Sequence, residues 1–169
     1  PAVVKFGVGF VQGAKAANKD IKIVYNYSGS FNDTNKGKTL AATMYDNGVK
    51  AIFACAGGTG NGVITEAKNR EGVWVIGVDS DQYNDGLKSD GTSVILTSAI
   101  KKIDEAAYQM IEAELKGTFP GGQTITFDAK NDGIGIPSEN PNLSNSTVEK
   151  VKEVLEAIKN GEIVVNSEV

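Results

Sequence analysis

The chain has 169 residues, a formal net charge of −4 and a pI near 4.9, with 40% hydrophobic and 22% charged residues. That balance allows a packed core of one domain or two small lobes, and it argues against nucleic acid or an anionic membrane surface, which demand clustered Lys and Arg. One cysteine, Cys55, and no histidine exclude a disulfide framework, Cys/His zinc sites and a Ser or Cys nucleophile served by a His base.

Residues 1–18 read as a leading helix, weakened by Gly7, Gly9 and Gly13. IKIVYNY (21–27) reads as a strand, and KGKTLAATMYDNG (36–48) as a helix closed by Gly48. AIFACA (51–56) is a strand, NGVITEAKNR (61–70) a helix, VWVIGVD (73–79) a strand and SVILTSA (93–99) another. Cys55, inside such a run, reads as a small buried hydrophobe. The helix IKKIDEAAYQMIEAELKG (100–117) follows, with Ile100, Ile103, Ala107, Met110 and Ile111 on one face and Gly117 at its end. QTITFDAKNDGIGI (123–136) suggests two short strands around a turn, and NPNLSNS (140–146) a polar linker. A last helix, STVEKVKEVLEAIKNG (146–161), takes Ser146 or Thr147 as its cap. No apolar run approaches the ~18 residues of a membrane span.

Continuously apolar strands imply a sheet buried on both faces, and strand–helix alternation implies an α/β, doubly wound, mostly parallel sheet. In such sheets ligands bind at the carboxyl ends of the strands. That rule selects YSGSFND (27–33), AGGTGNG (56–62), DSDQYND (79–85) and TSAIKK (97–102).

AGGTGNG has Asn61 and Gly62 where a phosphate loop needs Lys followed by Ser or Thr, and Val63 where a dinucleotide fingerprint needs its third glycine. What remains is a glycine turn, either a plain strand-to-helix connection or a backbone wall against a ligand. Phe31, flanked by Ser30, Asn32 and Asp33, is either a stacking platform for a planar ligand or a staple beside a helix cap. Asp79 and Asp81 are either a turn-forming pair or acceptors for vicinal hydroxyls; no third carboxylate or His accompanies them for metal or acid–base work. Lys101, read as opening the helix at 100–117, sits at the end where a cation is disfavoured, which suggests a ligand or carboxylate partner. Lys102 reads as solvated.

GSFND, VKAIFACAGGTGNGVITEAK, VIGVDSDQ and LTSAIKKID, in this order, resemble the basic membrane protein family of ABC-transporter solute-binding lipoproteins, the purine-nucleoside receptor group. The resemblance runs from about residue 5 to residue 136, with a weaker echo in IKNGEIVV. It implies a two-lobed type I periplasmic-binding-protein fold with flavodoxin-like strand order, closing on a nucleoside. It also implies site roles: Phe31 stacks on the base, Gly57 offers its backbone, and Asp79 and Lys101 bind the ribose. No cofactor, no metal and no catalytic residue is expected.

The same resemblance implies a first lobe ahead of this chain, carrying a second aromatic and the groups that read the base edge. Residues 1–98 are then expected to be the second ligand-binding lobe, and 99–169 a return segment crossing towards the first. Half a site is expected, along with an exposed apolar face on the helix at 100–117 through which the chain self-associates or repacks. The partners expected of the intact protein are a nucleoside and an ABC permease, in an extracytoplasmic, lipid-anchored setting. A ligand-sensing domain of a regulatory protein is the alternative. An enzyme acting on nucleosides is disfavoured by the missing His and the isolated Asp79/Asp81 pair.

Overall fold

A computed structural model describes residues 2–166. Its sheet has four strands in the order β1-β2-β3-β4, with β1 Ala51–Phe53, β2 Trp74–Asp79, β3 Ile95–Lys101 and β4 Ile134–Gly135. The first three are parallel, with Phe53 opposite Ile76 and Asp79 opposite Ile100. β4 runs antiparallel to β3. The helices are α1 Ala2–Ala17, α2 Thr34–Asp46, α3 Gly58–Lys68, α4 Ile103–Leu115 and α5 Asn145–Lys159. The architecture is thus the expected α/β sheet, mostly parallel and flanked by helices.

The core lies between one sheet face and the α2–α3 pair: Ala41, Tyr45, Ile52, Ala54, Val63, Ile64, Ala67, Val75, Val94 and Ile95 form one buried cluster. The two helices touch backbone to backbone. A Cβ on Gly37 would strike the carbonyl oxygen of Thr59, and one on Gly62 would strike that of Thr34. Only glycine allows that approach. On the opposite sheet face Phe53 meets the rings of Phe10 (5.1 Å between centroids) and Phe6 (6.0 Å) from α1, as the strand pleat requires of a residue next to buried Ile52. The Phe53 face is only partly covered, so Ile76 and Val78 stay half-buried while Val75 and Gly77 are buried. Burial on both faces, expected from the apolar runs, is replaced by an alternating pattern.

Four local expectations change. Residues 21–27 form no strand; Val24, Tyr25 and Tyr27 are exposed, and no neighbouring strand is hydrogen-bonded to them. Among the described residues the sheet is therefore open beyond β1, on the side where a flavodoxin-like order sets its outer strand. α3 starts three residues early, at Gly58, where Gly60 comes so close to the Ala54 carbonyl that a Cβ would lie 3.1 Å from it. The final helix is capped by Ser144, whose Oγ accepts from the Thr147 amide (3.2 Å), and not by Ser146 or Thr147. Only 134–135 of the region 123–136 pairs into the sheet, while Asp128, Asn131 and Gly133 close a tight turn. No helix among the described residues is long and apolar enough to cross a membrane.

Candidate functional site

β1, β2 and β3 end on one edge, about 10 Å from first to third at the usual strand spacing. Just past β1, Gly57 takes φ +54° as the residue before α3. A Cβ there would lie 3.2 Å from the Phe31 carbonyl oxygen and 3.5 Å from the Phe31 side chain. The structure therefore brings Phe31 and Gly57 into direct contact across 26 residues of sequence. The Phe31 ring is 59% exposed, so it does not serve as a core staple, although its neighbour Asp33 does cap α2, accepting from the Lys36 amide at 2.9 Å.

AGGTGNG divides. Gly58, Thr59, Gly60, Asn61 and Gly62 are the first turn and a half of α3, and Gly62 is demanded by the packing on α2. Only Gly57 and the head of the helix remain to face a ligand, with the partial positive charge of a helix N-terminus.

At the other end of the edge, Asp79 and Lys101 form an ion pair, Oδ1 to Nζ 2.7 Å. Lys101 is the last residue of β3 and not the first of a helix; α4 starts at Ile103, so the argument from helix polarity falls away. The pair forms because β2 and β3 are parallel and, after a one-residue bulge near Val75, place Asp79 opposite Ile100, beside Lys101 at the end of β3. Half-exposed, it contributes little to stability. Asp79 has φ +70°, a conformation non-glycine residues rarely adopt. A clasp holds it there: Gln82 Oε1 accepts from the Val78 amide (3.0 Å), and the Gln82 amide donates to Ser98 Oγ (3.1 Å), which is fully buried. Asp81 separates from Asp79, its Oδ1 accepting from the Tyr83 amide (3.0 Å) as a turn former.

Several residues of this edge carried no signal in sequence. Phe6 lies 5.6 Å from the Lys101 ammonium, ring face to cation. The Cys55 thiol is pushed up to about 12, by burial first and by the Asp79 charge second, with Lys101 opposing. Cys55 is half-buried and lies beyond the end of β1, so it is not the buried strand residue expected, because the strand stops at Phe53. Tyr25 and Tyr27 pack edge to face at 4.8 Å, and the hydrogen bond that pairs their hydroxyls, favouring the protonated Tyr25 as donor, raises the Tyr25 hydroxyl. Among the described residues no group of His, Cys, Asp or Glu is arranged to hold a metal ion. A surface hollow of about 380 Å³ lies elsewhere, on α4 between Met110, Ile111, Glu114, Leu115 and Phe119. The edge can present an aromatic face, backbone N–H groups and an oriented carboxylate–ammonium pair to a ligand.

Residues 1–168 match the family model described as ABC transporter substrate-binding protein PnrA-like (Bmp). The chain is 40% identical over 171 aligned residues to the CD4+ T-cell-stimulating antigen of Listeria monocytogenes, covering 95% of this chain and 48% of that protein. It is 41% identical over 149 residues to the ABC transporter nucleoside-binding protein BmpA of Lactococcus lactis, covering 82% and 42%. Among solved structures, an ABC transporter solute-binding protein from Aeropyrum pernix is similar at TM-score 0.68 and 25% identity, over 94% of this chain and 52% of that one. A transcriptional activator of the comK gene from Bacillus halodurans shares the fold at TM-score 0.78 and 20% identity, over 93% and 53%. The chain spans about half the length of the curated relatives it matches. With the sheet, the edge loops and these matches together, the chain belongs to the Bmp family of PnrA-like ABC transporter substrate-binding proteins.

Proposed function

We propose that this chain is the second-lobe portion of an extracytoplasmic receptor that captures a nucleoside and hands it to an ABC permease. The observation that carries the reading is the edge itself: an exposed Phe31 ring against Gly57, and the Asp79–Lys101 pair two strands away. Phe31 stacks on the base, a contact worth ~1–3 kcal/mol. The Asp79 carboxylate accepts from ribose hydroxyls, and Lys101 donates to one of them while balancing the charge. The Gly57 backbone lies against the ligand where any side chain would intrude.

Residues 1–98 form the ligand-facing lobe in this reading, and 99–169 the return segment. The binding-protein name of the Lactococcus relative supports a nucleoside as ligand, and the family match favours transport over a regulatory sensor. Lipid anchoring belongs to the intact receptor. With one aromatic platform and one hydroxyl-reading pair, the chain binds nucleosides weakly, and its outward α4 face, with Ile103, Ile111 and Leu115 exposed, brings copies together at high concentration. Calorimetry with adenosine, guanosine, inosine and uridine tests this. Saturable binding, abolished by Asp79→Ala, is expected; a submicromolar constant would refute the half-site, and no heat for any of the four would refute the ligand class.

A further inference from the structure

We infer that Thr59 is the positioning residue for Phe31: one buried threonine holds the aromatic platform in place before any ligand arrives. The inference rests on the proposed role of Phe31 as a platform and adds the residue that presents it.

The Phe31 ring is mostly in solvent, so no apolar packing fixes it. It also follows residues 21–27, which belong to no strand. A loop with such antecedents would wander, and a ligand would have to order it at a cost in affinity. Thr59 removes that freedom. Its side chain is 1% exposed. Its hydroxyl donates to the Ser30 carbonyl (3.0 Å) and accepts from the Asp33 amide (3.0 Å). Its own amide donates to the Phe31 carbonyl (3.2 Å). The three bonds bracket Phe31 from both sides and fasten the loop to the head of α3.

The other half of the side chain explains why a threonine stands there. The Thr59 methyl carbon would lie 3.1 Å from a Cβ built on Gly37, in the tight contact between α2 and α3. The methyl is therefore held by helix packing, which fixes χ1 and aims the hydroxyl at the loop. Thr59 thus adds to the Gly57 contact and the Asp33 cap a link that bonds the loop on both sides of Phe31, and backbone groups of the loop find their partners in it.

Three variants test this: Thr59→Val, which keeps the shape and removes the hydroxyl, Thr59→Ser, which keeps the hydroxyl, and Phe31→Ala. Without ligand, amide hydrogen exchange and the ring signals of labelled Phe31 are followed by NMR. Thr59→Val should speed exchange at Asp33 roughly tenfold, the equivalent of one net hydrogen bond. It should also shift the Phe31 ring signals and leave exchange at Val75 and Ile95 in the sheet within twofold; Thr59→Ser should restore the parent behaviour. Unchanged Asp33 exchange, or equal acceleration at Val75 and Ile95, would overturn the inference, the second because it marks a merely structural residue. With adenosine as probe, Thr59→Val should weaken binding about tenfold in the parent and have no effect in a Phe31→Ala background; equal losses in both would also overturn it. If adenosine does not bind the parent chain, the proposed function fails, while the ligand-free exchange still decides the role of Thr59.

Discussion

The segment from 34 to 98 and the segments flanking it behave as two kinds of protein. In the first, α2, β1, α3, β2 and most of β3 share one apolar cluster, and two helices press together at Gly37 and Gly62 until no Cβ fits. In the second, α4 and α5 have no buried residue, and Ile103, Ile111, Leu115, Phe119, Val154 and Val164 face outward. An outward apolar stripe contributes nothing to folding until something covers it. Gly57 and Asp79 lie inside this packed segment, while Phe31 and Lys101 lie just beyond its two ends, Phe31 tied to it by the Thr59 amide and Lys101 by the Asp79 carboxylate. A site needs fixed geometry more than it needs depth, and the 34–98 segment supplies the anchor for each of the two outlying residues.

The contrast can be broken at its strongest point by Gly62→Ala. The new methyl meets the Thr34 carbonyl and the Lys38 amide, so unfolding free energy should fall by roughly 3 kcal/mol or more, measured by urea titration. A loss below 1 kcal/mol would mean that α2 and α3 can part easily. Alkaline pH probes the same region more gently. The Cys55 thiol, raised by burial to about 12 against an ordinary 9.0, is neutral in the folded chain while the unfolded chain ionises. Its contribution is complete below pH ~9 and is lost as pH rises towards 12. Cys55→Ala should therefore be favoured relative to the parent by about 1–3 kcal/mol at pH 11 compared with pH 8, by paired denaturation curves. The parent thiol should also resist alkylation at pH 8.

Phe31→Ala sharpens the separation of site from core: adenosine binding should weaken by ~1–3 kcal/mol, with stability unchanged within about 0.5 kcal/mol because the ring is exposed. Leu115→Glu should have the smallest effect on folding, within about 0.5 kcal/mol, since Leu115 is 83% exposed. Its consequence should instead appear in sedimentation, as loss of any concentration-dependent association of the chain. Association that persists in this variant would place the contact on another surface.

Much of this molecule was legible before any coordinates. The apolar runs at 51–56, 73–79 and 93–99, the helix ends at Gly48 and Gly117, and the four loops of the edge follow from local rules of periodicity and capping. Phe31, Asp79 and Lys101 stood out there as residues, whereas Gly57 was named only through the family resemblance. The misreadings have one cause. IKIVYNY has every local mark of a strand, yet a strand exists only when a neighbour takes its hydrogen bonds, and pairing is a property of the whole fold. Lys101 was read onto a helix because apolar residues continue across it, whereas β3 reaches that far to pair with Asp79's strand and with β4.

The sequence by itself determined the helices, the three parallel strands, the carboxyl edge and the chemistry it can offer, because those depend on side-chain type and on spacing along a few residues. Tertiary structure alone decided that Phe31 touches Gly57, that Asp79 is turned to φ +70° and bonded to Lys101, and that the hydroxyl of Thr59 joins the two loops. Each of those contacts joins residues more than 20 positions apart. Their geometry is fixed by which elements pack together, and no local rule carries that information.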